Sequence, residues 1–169
     1  MEPIALLDAH YFESGAHAAC VVAQHWEDGE AIESRSCWVR EVVPYVPGRF
    51  YERELPSLLA VLELVRTDVR ALVVDSYVEL DGTGTPGLGA HLYEHFGGRY
   101  AVVGIAKRAY RGSPFAARVM RRGSRRPLYV TARGIGQEEA GRLVAAMHGE
   151  HRIPTLVSTV DRMARQEEG

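Results

Sequence analysis

The chain has 169 residues, 46% hydrophobic and 25% charged, with 17 Gly and 8 Pro. That is the usage of an ordinary globular domain and excludes disordered, collagen-like and fibrous chains. Twenty Lys and Arg against 22 Asp and Glu leave a formal charge of −2, so net charge alone predicts neither a nucleic-acid binder nor a membrane binder.

In chain order, Ile4–Asp8 is a short apolar run ending in an acid, and 16–24 and 34–43 read as two further strands joined by the turn residues Glu27-Asp28-Gly29-Glu30. Pro44-Tyr45-Val46-Pro47-Gly48 fits neither helix nor central strand, because two prolines remove donors and fix the backbone. Leu55 to Arg66 carries apolar residues at 55, 58, 59, 62 and 65, the stripe of a helix. Ala71–Asp75 is a buried strand, again ending in an acid, and Ala101–Ala106 is another, followed by Lys107. Pro127–Thr131 reads as a strand, Gln137–His148 and Thr155–Arg165 as helices. A mixed-sheet α/β domain over residues 1–169 is expected. Cys20 and Cys37 form no CxxC or zinc spacing, and no apolar run is long enough for a signal or membrane segment. A reduced, cytoplasmic setting without a membrane partner follows as the expectation.

Net charge hides an asymmetry. No acid lies between Glu94 and Glu138, whereas Arg99, Lys107, Arg108, Arg111, Arg118, Arg121, Arg122, Arg125, Arg126 and Arg133 do. Such a run is either a solvated surface or a face for phosphates, and ten uncompensated bases favour phosphates. Lys107 is the sole lysine. It is either a chance survivor or a place where a compact ammonium is needed and a guanidinium fork would not serve. Asp8 and Asp75 each close an apolar strand. If those strands are neighbours, two carboxylates meet at one sheet edge, a hard-oxygen site for Mg²⁺ or Mn²⁺. Taken singly, either is equally a turn residue or a helix cap. The seven histidines show no metal-ligand spacing, His91 reads as helix packing, and the glycines at 82, 84 and 87 lack the lysine of a phosphate-binding loop.

Between the two acids, Val43-Pro44-Tyr45-Val46-Pro47-Gly48 followed by Arg53-Glu54 resembles the signature of the endonuclease V family, a Pro-Tyr-Ile-Pro-Gly loop followed by Phe-Arg-Glu. Leu6–Tyr11 and Leu72–Asp75 are similar to its two acidic strands, and Gly87–Leu92 to its Gly-Leu-Ala-Ser-His-Leu helix. Val103–Lys107, Pro127–Val130, and Arg152-Ile153-Pro154 with Asp161 continue the likeness in order across nearly the whole chain. The resemblance implies an RNase H-like fold with a mixed five-stranded sheet and flanking helices. It also implies a Mg²⁺-dependent endonuclease cleaving 3′ to inosine in DNA or RNA; a monomer is the separate expectation for its assembly. Asp8, Glu54 and Asp75 would hold the metal, with Mn²⁺ able to substitute. Lys107 would hold the scissile phosphate or the water, and Asp161 a second metal or the water. Substrate contacts would come from Pro44, Tyr45, Val46, Pro47, Gly48, Ser76 and Gly104. Tyr45 in its stiff loop is suited to act as a wedge replacing a displaced base, or else packs on the core below.

Three features depart from the family pattern. Asp8 lies almost at the N-terminus, without the usual preceding helical stretch. Ser76 and Val78 stand where relatives carry the glycines of Asp-Gly-x-Gly, and their side chains are expected to narrow the pocket for a flipped base. Asp81 stands in place of a downstream histidine. All three bear on substrate choice and leave the acid cluster intact. A metal nuclease for flapped, branched or single-stranded nucleic acid and a non-catalytic nucleic-acid binder are the competing readings; retention of the clustered acids argues against the second.

Overall fold

The computed structural model describes residues 1–110 and 115–167; Arg111 of the basic run lies outside them. Eleven elements follow the chain: β1 (Ile4–Phe12), β2 (Gly15–Ala23), β3 (Glu33–Val39), α1 (Phe50–Leu62), β4 (Ala71–Val74), α2 (Leu88–His95), β5 (Ala101–Ala106), β6 (Ala117–Val119), β7 (Leu128–Arg133), α3 (Gln137–Ala146) and α4 (Thr155–Ala164). They build one mixed sheet in the order β3-β2-β1-β4-β5-β7-β6. β1, β4 and β5 run parallel at its centre, while β2, β3, β7 and β6 extend it through antiparallel pairs.

The alternation of side chains along the central strands supplies two cores. Ile4, Leu6, Ala71, Val73, Val103 and Ile105 face one side, beneath Ala140 and Val144 of α3 and Leu156, Val157 and Val160 of α4. Ala5, Leu7, Leu72, Val74 and Val102 face the other, beneath Leu58 and Val61 of α1 and Leu88, Ala90 and Leu92 of α2. Central strands covered on both faces read as continuous apolar runs, which is why β4 and β5 were legible from sequence. The fold is RNase H-like α/β, with seven strands where five were expected. β3 and the three-residue β6 form the two sheet edges.

Three boundaries moved for physical reasons. β1 continues to Phe12 because its hairpin with β2 stays in register to Phe12↔Gly15, whereas its pairing with β4 stops at Leu7↔Val74. Asp8 therefore sits inside β1 and not at its end. α1 starts at Phe50, earlier than the apolar stripe, and carries Pro56 inside. It stops at Leu62, short of Arg66, where the Glu33 carboxylate accepts the backbone N–H groups of Arg66 (2.8 Å) and Thr67 (2.9 Å) and turns the chain toward β4. Among the described residues no helix is long and apolar enough to cross a membrane.

Candidate active site

Parallel pairing of β1, β4 and β5 brings Leu7, Val74 and Gly104 level. The residues just beyond them share one end of the sheet. By strand alternation Asp8, Asp75 and Lys107 fall on the α4 side, below Val157 and Val160, which with Leu6, Val73 and Ile105 make an apolar floor. Asp8 accepts the N–H of Ala9 (2.9 Å). Burial, then the Asp75 charge, pushes its carboxyl up to about 7. The Asp161 carboxyl, brought in by α4, adds to the same effect. Glu54 reaches this end from α1, and burial followed by the Asp75 charge lifts it to about 7 as well. Burial and the same carboxylates, Glu54 and Asp8, also raise the neighbouring Tyr11 phenol well above its ordinary value.

Counter-charges are few. The Lys107 ammonium donates to Asp75 Oδ2 at 2.9 Å. Arg165 grips both Asp161 oxygens at 3.1 Å from the next turn of α4. Arg53, beside Glu54, stands over the Tyr11 ring, its guanidinium carbon 4.0 Å from the ring centroid. The structure thus brings together Asp8, Glu54, Asp75, Lys107 and Asp161. Among the described residues no three His, Cys, Asp or Glu side chains already converge as a metal site. The donor chemistry nevertheless fits a hard divalent cation. Two carboxyls lifted first by burial and then by a third carboxylate are what remains when clustered oxygen ligands have too little positive charge among them.

Beside this edge, residues 43–49 are all exposed. Tyr45 is 57% exposed, flanked by Val43 and Val46 at 48% and 44%, so of its two readings packing on the core is excluded. A bond from the Arg49 N–H to the Val46 carbonyl (2.9 Å) closes the turn, and Gly48 takes φ +80°, which suits glycine. A cleft of about 270 Å³ between this loop, the β1–β2 turn and Arg53 runs up to Tyr45.

Gly104 lies buried in β5, and a Cβ there would come 2.2 Å from the Ser76 carbonyl and 2.9 Å from the Val78 nitrogen. Any influence of Gly104 on substrate therefore passes through the Ser76–Val78 backbone that it seats. The Val78 N–H donates to Thr131 Oγ1 at 2.8 Å. Val78 is fully buried in the core under α2, which corrects the expectation that its side chain narrows a pocket; only Ser76 keeps partial exposure. Asp81, where the family carries a histidine, is engaged within its own loop. Its two oxygens take the N–H and hydroxyl groups of Thr83 and Thr85 at 2.6–3.1 Å, which holds the carboxylate far below its ordinary range.

The basic run divides. Arg121 is buried and donates to the carbonyls of Val144 and Ala145 in the last turn of α3 and of Met147, His148, Gly149 and His151 after it. Arg133 pairs with Glu79 (2.8 Å) and Glu94 (3.0 Å), and Arg99 reaches Asp68 at 3.9 Å. The expectation of ten uncompensated bases is corrected: acids distant in sequence fold back onto several of them. His91 stacks on Tyr51 at 3.6 Å between α1 and α2, as packing requires. Sequence reading missed Arg165 and assigned no role to Arg152, although Arg152 opens the Arg-Ile-Pro motif. Arg165 stands one helical turn after Asp161, a spacing visible in the sequence, whereas the contacts of Arg152 left no local signal.

The profile of the family described as endonuclease V matches residues 1–163. The chain belongs to the endonuclease V family. It is accordingly an endonuclease, a phosphodiester hydrolase. No curated protein matches the sequence. Solved endonuclease V structures share its fold. The Streptomyces avermitilis protein superposes with a TM-score of 0.77 at 21% identity, covering 97% of this chain and 80% of its own. The Bacillus subtilis protein gives 0.71 at 19%, with coverages of 95% and 77%. A Ciona intestinalis endonuclease V, solved with a 23mer DNA containing an inosine followed by a ribo-adenosine, gives 0.77 at 15%, with 96% and 83%. At these identities the likeness speaks for the fold.

Proposed function

We propose that this endonuclease V chain, acting as a monomeric cytoplasmic enzyme with residues 1–169 as one catalytic domain, uses Mg²⁺ (or Mn²⁺) to hydrolyse the phosphodiester bond 3′ to a deaminated purine, inosine, in DNA or RNA. One observation carries the reading. Asp8, Glu54 and Asp75 crowd one sheet end, two of them lifted to about 7, beside a lysine and an exposed Pro-Tyr-Val-Pro loop. The Ciona relative bound to inosine-containing DNA supports inosine as the base.

Asp8, Glu54 and Asp75 would hold the ion. When bound, it supplies Lewis acidity to the scissile phosphate and to the attacking water. Asp161, held by Arg165, orients that water beside Asp8. Lys107, now on Asp75, is the one ammonium able to turn toward phosphate oxygens as their charge grows in the transition state. Tyr45, offered by a backbone that two prolines stiffen, fills the gap in the stack at little entropic cost. The apolar floor under Asp8 keeps bulk water from screening these charges.

The test is cleavage of inosine-bearing, undamaged and flapped oligonucleotides with Mg²⁺, with EDTA, and by Asp75→Asn. Mg²⁺-dependent cleavage of the inosine substrate, lost in EDTA and in the variant, is expected. Undiminished cleavage in EDTA, or preference for the flapped substrate, overturns the proposal.

A further inference from the structure

Of the described bases in the run that are neither buried nor paired with a carboxylate, Arg118 lies within β6 over the Tyr129 ring, and outside the strands stand Arg108, Arg122, Arg125 and Arg126, all exposed. They come from two separate segments, the stretch after β5 and the turn between β6 and β7, yet the fold brings both to the end of the sheet that carries Asp8 and Asp75. Ala106 pairs with Tyr129, so the chain leaves β5 beside the point where it enters β7. Arg152 joins the two segments directly, donating through Nη2 to the carbonyls of both Lys107 and Pro127.

Both segments are held rigidly. The Tyr77 hydroxyl donates to the Arg108 carbonyl at 2.6 Å and accepts the Tyr110 N–H at 3.1 Å. In the β6–β7 turn, Ser124 Oγ donates to the Arg126 carbonyl (2.7 Å) and accepts its N–H (3.2 Å), while the Ser124 N–H bonds to the Arg121 carbonyl (3.2 Å). Arg121 then anchors the turn to the segment following α3. In effect one buried arginine holds the loop that displays three exposed ones. A turn fixed this way presents its charges with little ordering cost on binding. A stretch serving only solubility would interleave acids, and the sequence that carries these arginines holds none between Glu94 and Glu138.

We propose that Arg108, Arg122, Arg125 and Arg126 form a preorganised cradle for the phosphodiester backbone of the nucleic acid, extending from Lys107 along the β6–β7 turn. This rests on the reading of the site as a nuclease centre and adds where the substrate strand runs. The contacts are to phosphates, so they are blind to base identity.

The experiment measures fluorescence anisotropy of a labelled duplex with one inosine and of its undamaged counterpart, across a salt series, for the wild type and a variant with all four arginines changed to Gln. Each lost phosphate contact lowers the slope of log affinity against log salt by about 0.9, so the fourfold variant should lose about 3 to 4 in slope, and at least about tenfold in affinity, equally for both duplexes. The double variant Arg66→Gln, Arg142→Gln, which removes exposed charge from the α1–β4 connection and α3, should change the slope far less than Arg125→Gln, Arg126→Gln. Should the fourfold variant fold poorly, the four single variants carry the test, each lowering the slope by about 1. An unchanged slope in variants that fold, with the wild type still binding and cleaving, overturns the cradle and leaves the nuclease reading standing. A wild type that neither binds nor cleaves overturns both.

Discussion

Gly104→Ala is the smallest change that separates a seated strand–loop junction from a displaced one. A Cβ at this position would stand 2.2 Å from the Ser76 carbonyl oxygen, 2.9 Å from the Val78 nitrogen and 3.2 Å from Thr131 Oγ1. Two of the three are backbone atoms, so no rotamer change relieves them. Restoring ordinary contact needs a movement of about 1 Å, either of β5 within the sheet or of the Ser76–Val78 segment away from it. β5 is paired on both sides, with β4 and β7, so the loop gives way. It then strains the Val78 N–H bond to Thr131 and carries Asp75, one residue upstream, out of place. Overpacking of this kind costs about 1–3 kcal/mol, which for a chain of this size lowers Tm by roughly 2–12 °C. If Asp75 holds the ion as proposed, a misplacement near 1 Å costs about 10²-fold in rate. Thermal unfolding and single-turnover cleavage of an inosine duplex measure the two effects. A Gly104→Ala protein with wild-type Tm and rate would show that the loop tolerates the methyl, and the reasoning would fail.

Three further expectations follow from contacts elsewhere in the fold. Tyr45→Ala should leave unfolding stability within about 0.5 kcal/mol of wild type because the ring is mostly exposed, while inosine discrimination falls in competition cleavage assays; a large drop in Tm would mean the ring packs on the protein. Arg121→Met should cost about 3 kcal/mol or more in urea titrations, since six carbonyls lose one shared donor, and an unchanged midpoint would show that water replaces it. Glu33, held down to about 2 chiefly by the Thr67 hydroxyl and the Arg66 N–H, adds stability that is complete above its ordinary value of 4.5 and is lost as pH falls toward 2. Glu33→Gln should therefore flatten the stability–pH curve in that window, and an identical acid limb in the variant would contradict this.

What the sequence made legible was whatever repeats locally. β4 and β5 announce themselves because strands buried on both faces need unbroken apolar runs, and α3 and α4 because one apolar stripe faces the sheet. The two strand acids, the lysine and the Pro-Tyr-Val-Pro loop were readable one by one. Long-range partnerships were not. Nothing near Arg121 shows that it will be buried among carbonyls more than twenty residues away, and nothing near Arg133 points to Glu79 and Glu94. β6 was missed because Ala117-Arg118-Val119, within a run of arginines, carries no period at all. Val78 looked like pocket lining from its place after Asp75, and only the register of β5 beneath it shows that its side chain turns into the core.

The same register accounts for why the acids lie where a cation is worth most. β1 keeps its pairing with β2 beyond Leu7 but loses β4 there, so the sheet splits at Asp8. Leu6, Val73, Ile105, Val157 and Val160 close the split from below with apolar surface. Set on that floor, Asp8 lacks the water that would stabilise its charge, and Asp75 and Asp161 offer it only more negative charge. Lys107 answers part of this through Asp75. The remainder is a deficit of positive charge at one point, created by burial and not by any excess of acids in the chain, whose formal charge is only −2. A divalent ion bound by these oxygens would relieve the deficit, and the floor beneath it is built from buried core residues already packed in the fold.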